Sequence, residues 1–209
     1  MDALRTFVRS ADLDIIFLQE VYDAEFTIPG YNVLTNVNDE PLLLYARSLN
    51  SRLISLRLKN ATTLCNIYAP SGSHRRTERE IFFNQTLPFY LQNARESVIL
   101  AGDFNSVLNS KDATSGADIS HALLCVVNSL GLCDSWEHLK GNAVEFSFIA
   151  RTSGSRIDRC YVSKSLKDKL KTTYMHIIKH LQSVSPFQSV RLREETETGN
   201  SVRTFCRTK

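Results

Sequence analysis

The sequence predicts an α/β domain in which two mixed β-sheets pack face to face between outer helices, a four-layer α/β/β/α sandwich. Apolar runs of strand length alternate with amphipathic helical segments, and several strand-like runs follow one another without an intervening helix. With 209 residues and 43% hydrophobic composition, the chain can bury one sizeable core. We therefore expect a single domain over residues 1–193, followed by a polar, disordered tail over residues 194–209.

The first half of the chain is dominated by predicted strands. Leu4, Phe7 and Val8 recur at helical spacing and predict an opening amphipathic helix over residues 2–10. Apolar or alternating runs then predict strands over residues 14–20, 32–37, 42–47, 53–59 and 62–68. Two of these strands are followed by turn residues, at Pro29-Gly30 and at the Ala-Pro-Ser-Gly segment after Tyr68.

The second half contains the two clearest helical patterns. Residues 77–93 predict a long helix in which Thr77 and Glu80 form a capping box and Pro88 introduces a kink or a break. Residues 118–130 predict a second helix that ends before Gly131. Its expected apolar face consists of Leu123, Leu124, Val127 and Leu130. Further strands are predicted over residues 98–101, 146–150, 157–162, 174–178 and 190–192.

Charge and cysteine content narrow the class of protein. The formal net charge is only +3, so any affinity for nucleic acid must come from local basic clusters. The five cysteines have no paired spacing, which indicates free thiols in a reducing, intracellular compartment. No apolar run is long enough to cross a bilayer, and the start of the chain lacks the pattern of a signal peptide. We expect neither membrane association nor an oligomer.

The segment around Asp103 predicts the centre of the functional site. A buried strand over residues 98–101 runs into Gly102-Asp103-Phe104-Asn105, where glycine permits a tight turn. Asp103 and Asn105 can face the same way at the strand's carboxyl end, which is where open α/β sheets commonly bind ligands. A carboxylate and an amide there offer a proton acceptor and a neutral phosphate contact. The plain alternative is a structural Asx turn.

Three other polar residues stand at predicted strand ends: Glu20, Tyr68 and Asp158. Converging carboxylates without a His/Cys cluster favour a hard cation such as Mg²⁺, and hence metal-assisted phosphodiester hydrolysis. Each residue also has a structural explanation. Glu20 could be a solvated strand end, and Tyr68 a core aromatic residue with a wet hydroxyl. Asp158 could pair with one of the arginines beside it.

Four motifs in order resemble the endonuclease/exonuclease/phosphatase superfamily, most of all the apurinic-endonuclease-like domains of non-LTR (LINE-type) retrotransposons. The motifs are Leu18-Gln19-Glu20-Val21, Ile67-Tyr68-Ala69-Pro70, Gly102-Asp103-Phe104-Asn105 and Ser155-Arg156-Ile157-Asp158. The resemblance extends over about residues 1 to 192. It implies the DNase I-like fold, a hydrolase activity and DNA as the substrate.

The resemblance also implies a role for each motif residue. Glu20 is similar to the family's metal ligand, with Mg²⁺ as the expected ion and Mn²⁺ as an alternative. Tyr68 would hydrogen-bond the scissile phosphate, and Asn105 would bind one of its oxygens. Asp103 would orient or deprotonate the attacking water. Asp158 would normally fix and polarise a histidine near the end of the domain.

Two departures from the family pattern predict impaired or absent activity. The pattern opens with a strand that carries an Asn near the metal, and the segment after Met1 already matches the following helix. We therefore expect the first strand to be missing, which would leave an apolar edge in the sheet. The pattern closes with Ser-Asp-His, whereas this chain has Ser185-Pro186-Phe187. Nearby His180 is better explained as a surface residue than as a substitute.

Basic residues supply the expected contacts with substrate. Arg75 and Arg76 follow the Tyr68 loop, and Arg156 precedes Asp158, so that all three are candidates for binding a DNA backbone. The predicted function is a Mg²⁺-dependent nuclear endonuclease that nicks DNA, with a reverse transcriptase domain encoded downstream as a further partner. The alternatives are a non-catalytic remnant that binds DNA weakly and another phosphodiesterase or phosphatase of the superfamily.

Overall fold

A computed structural model describes residues 6, 15–18, 32–34, 43–49, 52–58, 60–92, 94, 97–114, 119–143, 145–176, 187–192 and 204–207. The strands within these ranges are β1 (Ile15–Leu18), β2 (Asn32–Leu34), β3 (Leu43–Leu49), β4 (Leu53–Leu58), β5 (Thr62–Tyr68), β6 (Ser97–Asp103), β7 (Leu132–Asp134), β8 (Phe148–Ala150), β9 (Ser153–Ser155), β10 (Asp158–Ser163), β11 (Leu170–His176), β12 (Phe187–Leu192) and β13 (Thr204–Arg207). The helices are α1 (Arg76–Ile81), α2 (Leu87–Leu91), α3 (His121–Ser129), α4 (Ser135–Lys140) and α5 (Lys164–Lys167). No helix among the described residues is both long enough and apolar enough to span a membrane.

The strands form two mixed sheets and a short hairpin. The first sheet has the order β3-β4-β5-β6-β10-β7, in which β5 and β6 are parallel and the other pairs are antiparallel. The second has the order β11-β12-β1-β13-β2, and β12 lies against β6 and β10 of the first sheet. β8 and β9 form the hairpin. The predicted pair of face-to-face mixed sheets is confirmed.

Alternating side chains of the first sheet belong to two separate apolar clusters, one on each face of the sheet. Val98 and Leu100 of β6 pack in one cluster with the helical residues Phe83 and Leu123. Ile99 of β6 packs in the other cluster with Ile15 and Phe17 of β1. Because successive side chains on a strand point to opposite faces, the helices cover one face of this sheet and the second sheet covers the other.

The predicted kink or break at Pro88 takes the form of a π-helical turn within a continuous helix. α1 runs directly into the π-helical turn Phe82–Thr86, and α2 follows at Leu87, next to Pro88. The predicted capping box is wrong. The helix begins at Arg76, and Glu80 instead accepts hydrogen bonds from the Ser120 hydroxyl and the Ala122 N–H at the start of α3.

α3 differs from its predicted pattern at two points. It begins at His121, after Ser120, whose hydroxyl accepts a hydrogen bond from the Leu123 N–H at 3.1 Å. The expected apolar face included Leu124, but this side chain is 36% exposed, and Val126 is buried in its place. The face that packs on the sheet is therefore rotated by part of a turn. Gly131 follows the helix with φ +58°, as expected of a C-cap glycine.

The polar tail contains a strand, which the sequence pattern did not predict. β13 is parallel to β1, with Thr204 opposite Ile15 and Arg207 opposite Leu18, and it also pairs with β2. The expectation of disorder is therefore wrong for residues 204–207, and the rest of the tail lies outside the described residues. The apolar edge expected beside β1 is covered by β13 on one side and by β12 on the other.

Most other predicted strands are confirmed with shifted ends. Those over 32–37, 42–47, 53–59, 62–68, 157–162, 174–178 and 190–192 correspond to β2, β3, β4, β5, β10, β11 and β12. The prediction over 14–20 is confirmed for Ile15–Leu18. Of the opening helix only Thr6 is described, and it is helical. The other residues of that helix, together with Glu20, His180 and Pro186, lie outside the described residues.

Candidate active site

Three of the predicted site residues form a row across adjacent strands. Tyr68 ends β5 and is the register partner of Asp103 at the end of the parallel strand β6. Asp103 is in turn the register partner of Asp158, the first residue of the antiparallel strand β10. Side chains of directly opposed residues on paired strands have Cβ atoms about 4.5–5.5 Å apart. The fold therefore brings a phenol and two carboxylates together at one edge of the first sheet.

This row faces the second sheet. Asp103 continues the alternating series of Ile99 and Ala101, and Asp158 begins the series of Cys160 and Val162, all of which pack toward β1. Asp158 is only 3% exposed, whereas Asp103 and Tyr68 are half-buried. The three polar groups consequently lie where the space between the two sheets opens at its edge, with the most deeply buried member on β10.

The loop after β6 is held by two hydrogen bonds from Asn105. Its N–H donates to Asp103 Oδ1 at 2.8 Å, and its side-chain Nδ2 donates to the Ala69 carbonyl oxygen at 3.0 Å. Asn105 has φ +47°, a left-handed conformation that Asn tolerates better than most residues. The Asx turn considered from the sequence is present, and it fixes the Asp103 carboxylate. One amide hydrogen of Asn105 is already engaged, which leaves at most one for a ligand.

A hydroxyl that sequence reasoning did not identify anchors the Asp158 main chain. Ser147 is 4% exposed, and its Oγ accepts hydrogen bonds from the N–H groups of Ile157 and Asp158, both at 3.0 Å. The Ile157 carbonyl oxygen accepts from the Phe104 N–H at 2.9 Å, which ties this segment to the Asp103 loop. The only signal in the sequence is a small hydroxyl residue between two phenylalanines, which is too common a pattern to identify an anchor.

Arg156 is internal and not at the surface. It is 2% exposed, and its guanidinium forms ion pairs with Asp112 at 3.0 Å and with Asp134 at 2.8 Å. A DNA phosphate cannot pair with it unless these contacts break, so the expected substrate contact is replaced by an internal role. The sequence also allowed an ion pair between Asp158 and one of the arginines beside it. Arg156 and Arg159 instead both pair with Asp112 and Asp134.

The Asp112 carboxyl has a perturbed pKa. Burial is the largest influence and would raise this pKa, but the charges and hydrogen bonds of Arg159 and Arg156 together outweigh it. The pKa of Asp112 is therefore held below its ordinary value, and the carboxylate is ionised at neutral pH. Burial would lower the pKa of Arg159, but Tyr161, Asp134 and Asp112 together raise it further above its ordinary range.

The basic segment after the Tyr68 loop is divided between surface and interior. Arg76 is exposed, and Arg75 is half-buried with its Nε 2.6 Å from Glu78 Oε2. Arg79, one turn further along the helix, is 2% exposed and donates to the carbonyl oxygens of Pro70 and Gly72. Arg75 and Arg76 thus remain candidates for contact with substrate, while Arg79 holds the loop that follows β5.

The donor set suits a hard cation better than a soft one. No group of three or more His, Cys, Asp or Glu side chains that could hold a metal occurs among the described residues, which do not include Glu20. Asp103 and Asp158 are hard oxygen donors, and Mg²⁺ needs only one or two carboxylates with water and phosphate oxygens. Cys160 follows Asp158 by two residues on the same face, and burial raises the pKa of its thiol to about 12. A soft thiol is in any case a poorer ligand for Mg²⁺ than a carboxylate oxygen.

Phe187 belongs to the segment that the resemblance aligns with the family's closing histidine motif. It is the first residue of β12, and its register partners are Leu18 of β1 and His176 of β11. This position is at the end of β1 that leads toward Glu20, on the sheet that faces the Tyr68, Asp103 and Asp158 row. A phenylalanine cannot bond to a phosphate oxygen or to a carboxylate.

Two packed mixed sheets with helices outside, and a row of one phenol and two carboxylates at the edge between them, define the class of protein by its fold as a two-sheet α/β sandwich. The chain belongs to the Endonuclease/Exonuclease/phosphatase family, whose model matches residues 1–170. It is similar to a transposon TX1 uncharacterized 149 kDa protein of Xenopus laevis, with 27% identity over 205 aligned residues that cover 82% of this chain. The chain spans only 15% of the length of that relative.

Solved structures share the fold. A 3′ phosphatase, NExo, from Neisseria bound to a product DNA hairpin superposes with a TM-score of 0.58 and 18% sequence identity. An AP endonuclease from Archaeoglobus fulgidus superposes with a TM-score of 0.52 and 20% identity. Each match covers 68% of this chain and 65% of the other. At these identities the likeness concerns the fold, which is DNase I-like, as the motifs predicted.

Proposed function

We propose that this chain is a Mg²⁺-dependent DNA endonuclease of retrotransposon type that nicks one strand by water attack on a phosphodiester. The observation that carries the proposal is the row of Tyr68, Asp103 and Asp158 on three neighbouring strands, open toward the second sheet. Membership of the family and similarity to a transposon protein support it. The partners are DNA and a reverse transcriptase domain encoded downstream, in the nucleus.

Each residue of the row has a distinct task. The Asp103 carboxylate, held by the Asn105 N–H, accepts a proton from the attacking water. The Tyr68 hydroxyl donates a hydrogen bond to the scissile phosphate, and the second amide hydrogen of Asn105 binds a phosphate oxygen. Asp158 supplies a second carboxylate, and the histidine that it would normally fix is replaced by Phe187 in this chain.

The residues fit a magnesium ion that Glu20 would hold. When bound, such an ion stabilises the negative charge that develops on the phosphate as the bond to the leaving oxygen breaks. Exposed Arg76 and half-buried Arg75 are positioned to bind the DNA backbone beside the Tyr68 loop. Arg156 is assigned a positioning role, because its guanidinium is enclosed by carboxylates.

Nicking of supercoiled plasmid with Mg²⁺ or Mn²⁺, and with EDTA, tests the proposal. We expect slow metal-dependent conversion to the open circle, with Asp103→Ala inactive. The loss of the family histidine lowers the rate by about 10² to 10⁴ relative to an intact site. Metal-dependent nicking that persists in Asp103→Ala would refute the assignment of this site.

A non-catalytic remnant is the second candidate, and the residue Phe187 at the start of β12 favours it. In that case the wild type is inert with every metal, and the double variant Pro186→Asp with Phe187→His gains nicking that Asp103→Ala again removes. Release of inorganic phosphate or cleavage of RNA or phosphoinositide substrates by the wild type, without DNA nicking, would instead indicate another activity of the family.

A further inference from the structure

Four buried charged side chains form a closed ring behind the active-site row. Arg156 Nη2 lies 3.0 Å from Asp112 Oδ1, and Arg156 Nη1 lies 2.8 Å from Asp134 Oδ2. Arg159 Nη2 lies 2.7 Å from Asp112 Oδ2, and Arg159 Nη1 lies 3.0 Å from Asp134 Oδ2. Each carboxylate therefore contacts both guanidiniums. None of the four side chains is more than 7% exposed, and their formal charges cancel.

The ring joins three separate segments of the chain. Asp112 belongs to the 3₁₀ turn Ser110–Asp112, which follows the Asn105 loop, and its carbonyl oxygen accepts from the Arg156 N–H at 2.8 Å. Asp134 ends β7 and uses its other oxygen, Oδ1, to cap α4 through the N–H of Trp136 at 2.9 Å. The two arginines stand on either side of Ile157 and Asp158. All three segments thus converge on the first residues of β10.

The ring and the row lie on opposite sides of the same strand. Asp158 and Arg159 are consecutive in β10, so their side chains point to opposite faces. The ring therefore contacts β10 on the face of the sheet that the helices cover, whereas the Asp158 side chain points toward the second sheet. Burying four charges is a poor source of stability compared with apolar packing of the same volume, but it defines one arrangement of the segments that carry them.

We infer that the ring holds the start of β10 in register beside β6, so that Asp112 and Asp134 are positioning residues that set the distance between Asp158 and Asp103. The inference rests on the proposed function for its catalytic consequence only. Its structural consequence concerns the main chain around Asp158, where Ser147 receives the N–H groups of Ile157 and Asp158.

Amide hydrogen exchange tests the structural consequence without any need for activity. In Asp112→Asn, which keeps the shape of the side chain and removes its charge, we expect the Ile157 and Asp158 amides to exchange at least about tenfold faster. The Cys65 amide in the middle of β5 reports the loss of global stability, so the tenfold effect is the acceleration at Ile157 and Asp158 in excess of that at Cys65. An acceleration at Ile157 and Asp158 no greater than that at Cys65 would overturn the inference. If Asp112→Asn does not fold, Arg159→Lys is used, because a lysine cannot bridge two carboxylates as a guanidinium does.

Kinetics of plasmid nicking test the catalytic consequence. For Asp112→Asn we expect kcat to fall by about 10²-fold with KM little changed, which is the loss that a displacement of about 1 Å can cause. Glu137→Gln is the matched control, since Glu137 contacts Arg156 at 3.3 Å from outside the ring and its side chain is 39% exposed. That variant should retain the wild-type kcat.

A second control separates positioning from general stability. Leu56 is fully buried on β4, which β5 and β6 separate from β10 in the sheet, so Leu56→Ala lowers the melting temperature without removing a charged contact of the ring. Equal kcat values for Asp112→Asn and Leu56→Ala at the same loss of melting temperature would show that the ring is merely structural. If the wild type does not nick DNA, the proposed function fails, and the exchange rates at Ile157 and Asp158 still decide the inference.

Discussion

Asp103 and Asp158 are register partners on two adjacent antiparallel strands, so two carboxylates stand side by side at the edge of one sheet. Like charges directly opposite each other on paired strands destabilise the sheet. Such a pair is typical of functional sites, where stability is given up for chemistry. Neutralising one of the two carboxylates should therefore stabilise the fold, whereas catalysis requires the carboxylates to remain charged.

Asp103→Asn is therefore expected to raise stability while it removes activity. In EDTA, the free energy of unfolding should increase by about 0.2–1 kcal/mol, since one of two opposed charges is gone and Asn keeps the oxygen that accepts from Asn105. Nicking should fall by at least about 10²-fold. Urea unfolding and the plasmid assay measure the two effects. Mg²⁺ should raise the melting temperature of the wild type more than that of Asp103→Asn. Equal increases in melting temperature in the two proteins would contradict the prediction.

The depressed pKa of Asp112 predicts a specific acid sensitivity. Its pKa is lower in the folded chain than in the unfolded chain, so its contribution is complete above the ordinary value of 3.8 and is lost as pH falls through the folded value. At pH 7, Asp112→Asn should lower the free energy of unfolding by about 3–5 kcal/mol, because two buried guanidiniums lose a carboxylate that both contact. Urea unfolding of both proteins from pH 7 downward should show this gap narrowing below about pH 4. A gap that is constant with pH would disprove the role of ionisation.

The contact between Glu80 and the start of α3 predicts a shared helix cap. Glu80→Ala and Ser120→Ala should each lower the free energy of unfolding by about 1 kcal/mol, since each removes a partner of N–H groups in the first turn. The double variant should lose less than the sum, because Ser120 and Glu80 are bonded to each other. Glu78→Gln, on the exposed side of α1, serves as the control and should leave stability unchanged. Strict additivity in urea unfolding would rule out the shared cap.

Strand β13 predicts that the end of the chain contributes to the core sheet. Phe205→Pro removes a main-chain N–H from a strand that pairs on both sides, so it should lower the melting temperature and expose the edges of β1 and β2 to association. Differential scanning calorimetry and light scattering measure the two effects. Phe205→Leu keeps the main-chain hydrogen bonds and should behave nearly as the wild type. A Phe205→Pro protein that melts and scatters like Phe205→Leu would show that β13 is dispensable.

The strand ends that carry Tyr68, Asp103 and Asp158 were recognisable from the sequence, because an apolar run that stops at a polar residue reflects local physics. The irregularity of the helix around Pro88 was recognisable because proline lacks the N–H that a regular helix needs. The partner of Glu80 could not be predicted from the sequence. A capping box with Thr77, three residues earlier, is equally plausible locally, and the contact with Ser120 forms only when α3 packs against α1. The sequence does not distinguish Leu124 from Val126 as the buried residue, because apolar residues occur on several sides of this helix.

Long-range pairing explains what was missed. β13 joins the two ends of the described chain, and nothing in Thr204-Phe205-Cys206-Arg207 signals a partner that far away. Asp112, Asp134, Arg156 and Arg159 look like ordinary surface charges, and only the meeting of three segments turns them into an interior cluster. The sequence consequently predicts a DNA contact for Arg156, which the fold places in the interior. Local patterns predict elements and their ends, whereas charge burial depends on the assembled fold.

The closed ring also restricts how related sequences can diverge. Each of its four members serves two opposite charges, so a single substitution leaves two buried partners incomplete, while the loss of an acid together with a base leaves the remaining pair balanced. Accepted changes at these positions are therefore expected to occur as acid–base pairs. A copy of the gene that has drifted at only one of the four carries an unbalanced charge inside the ring.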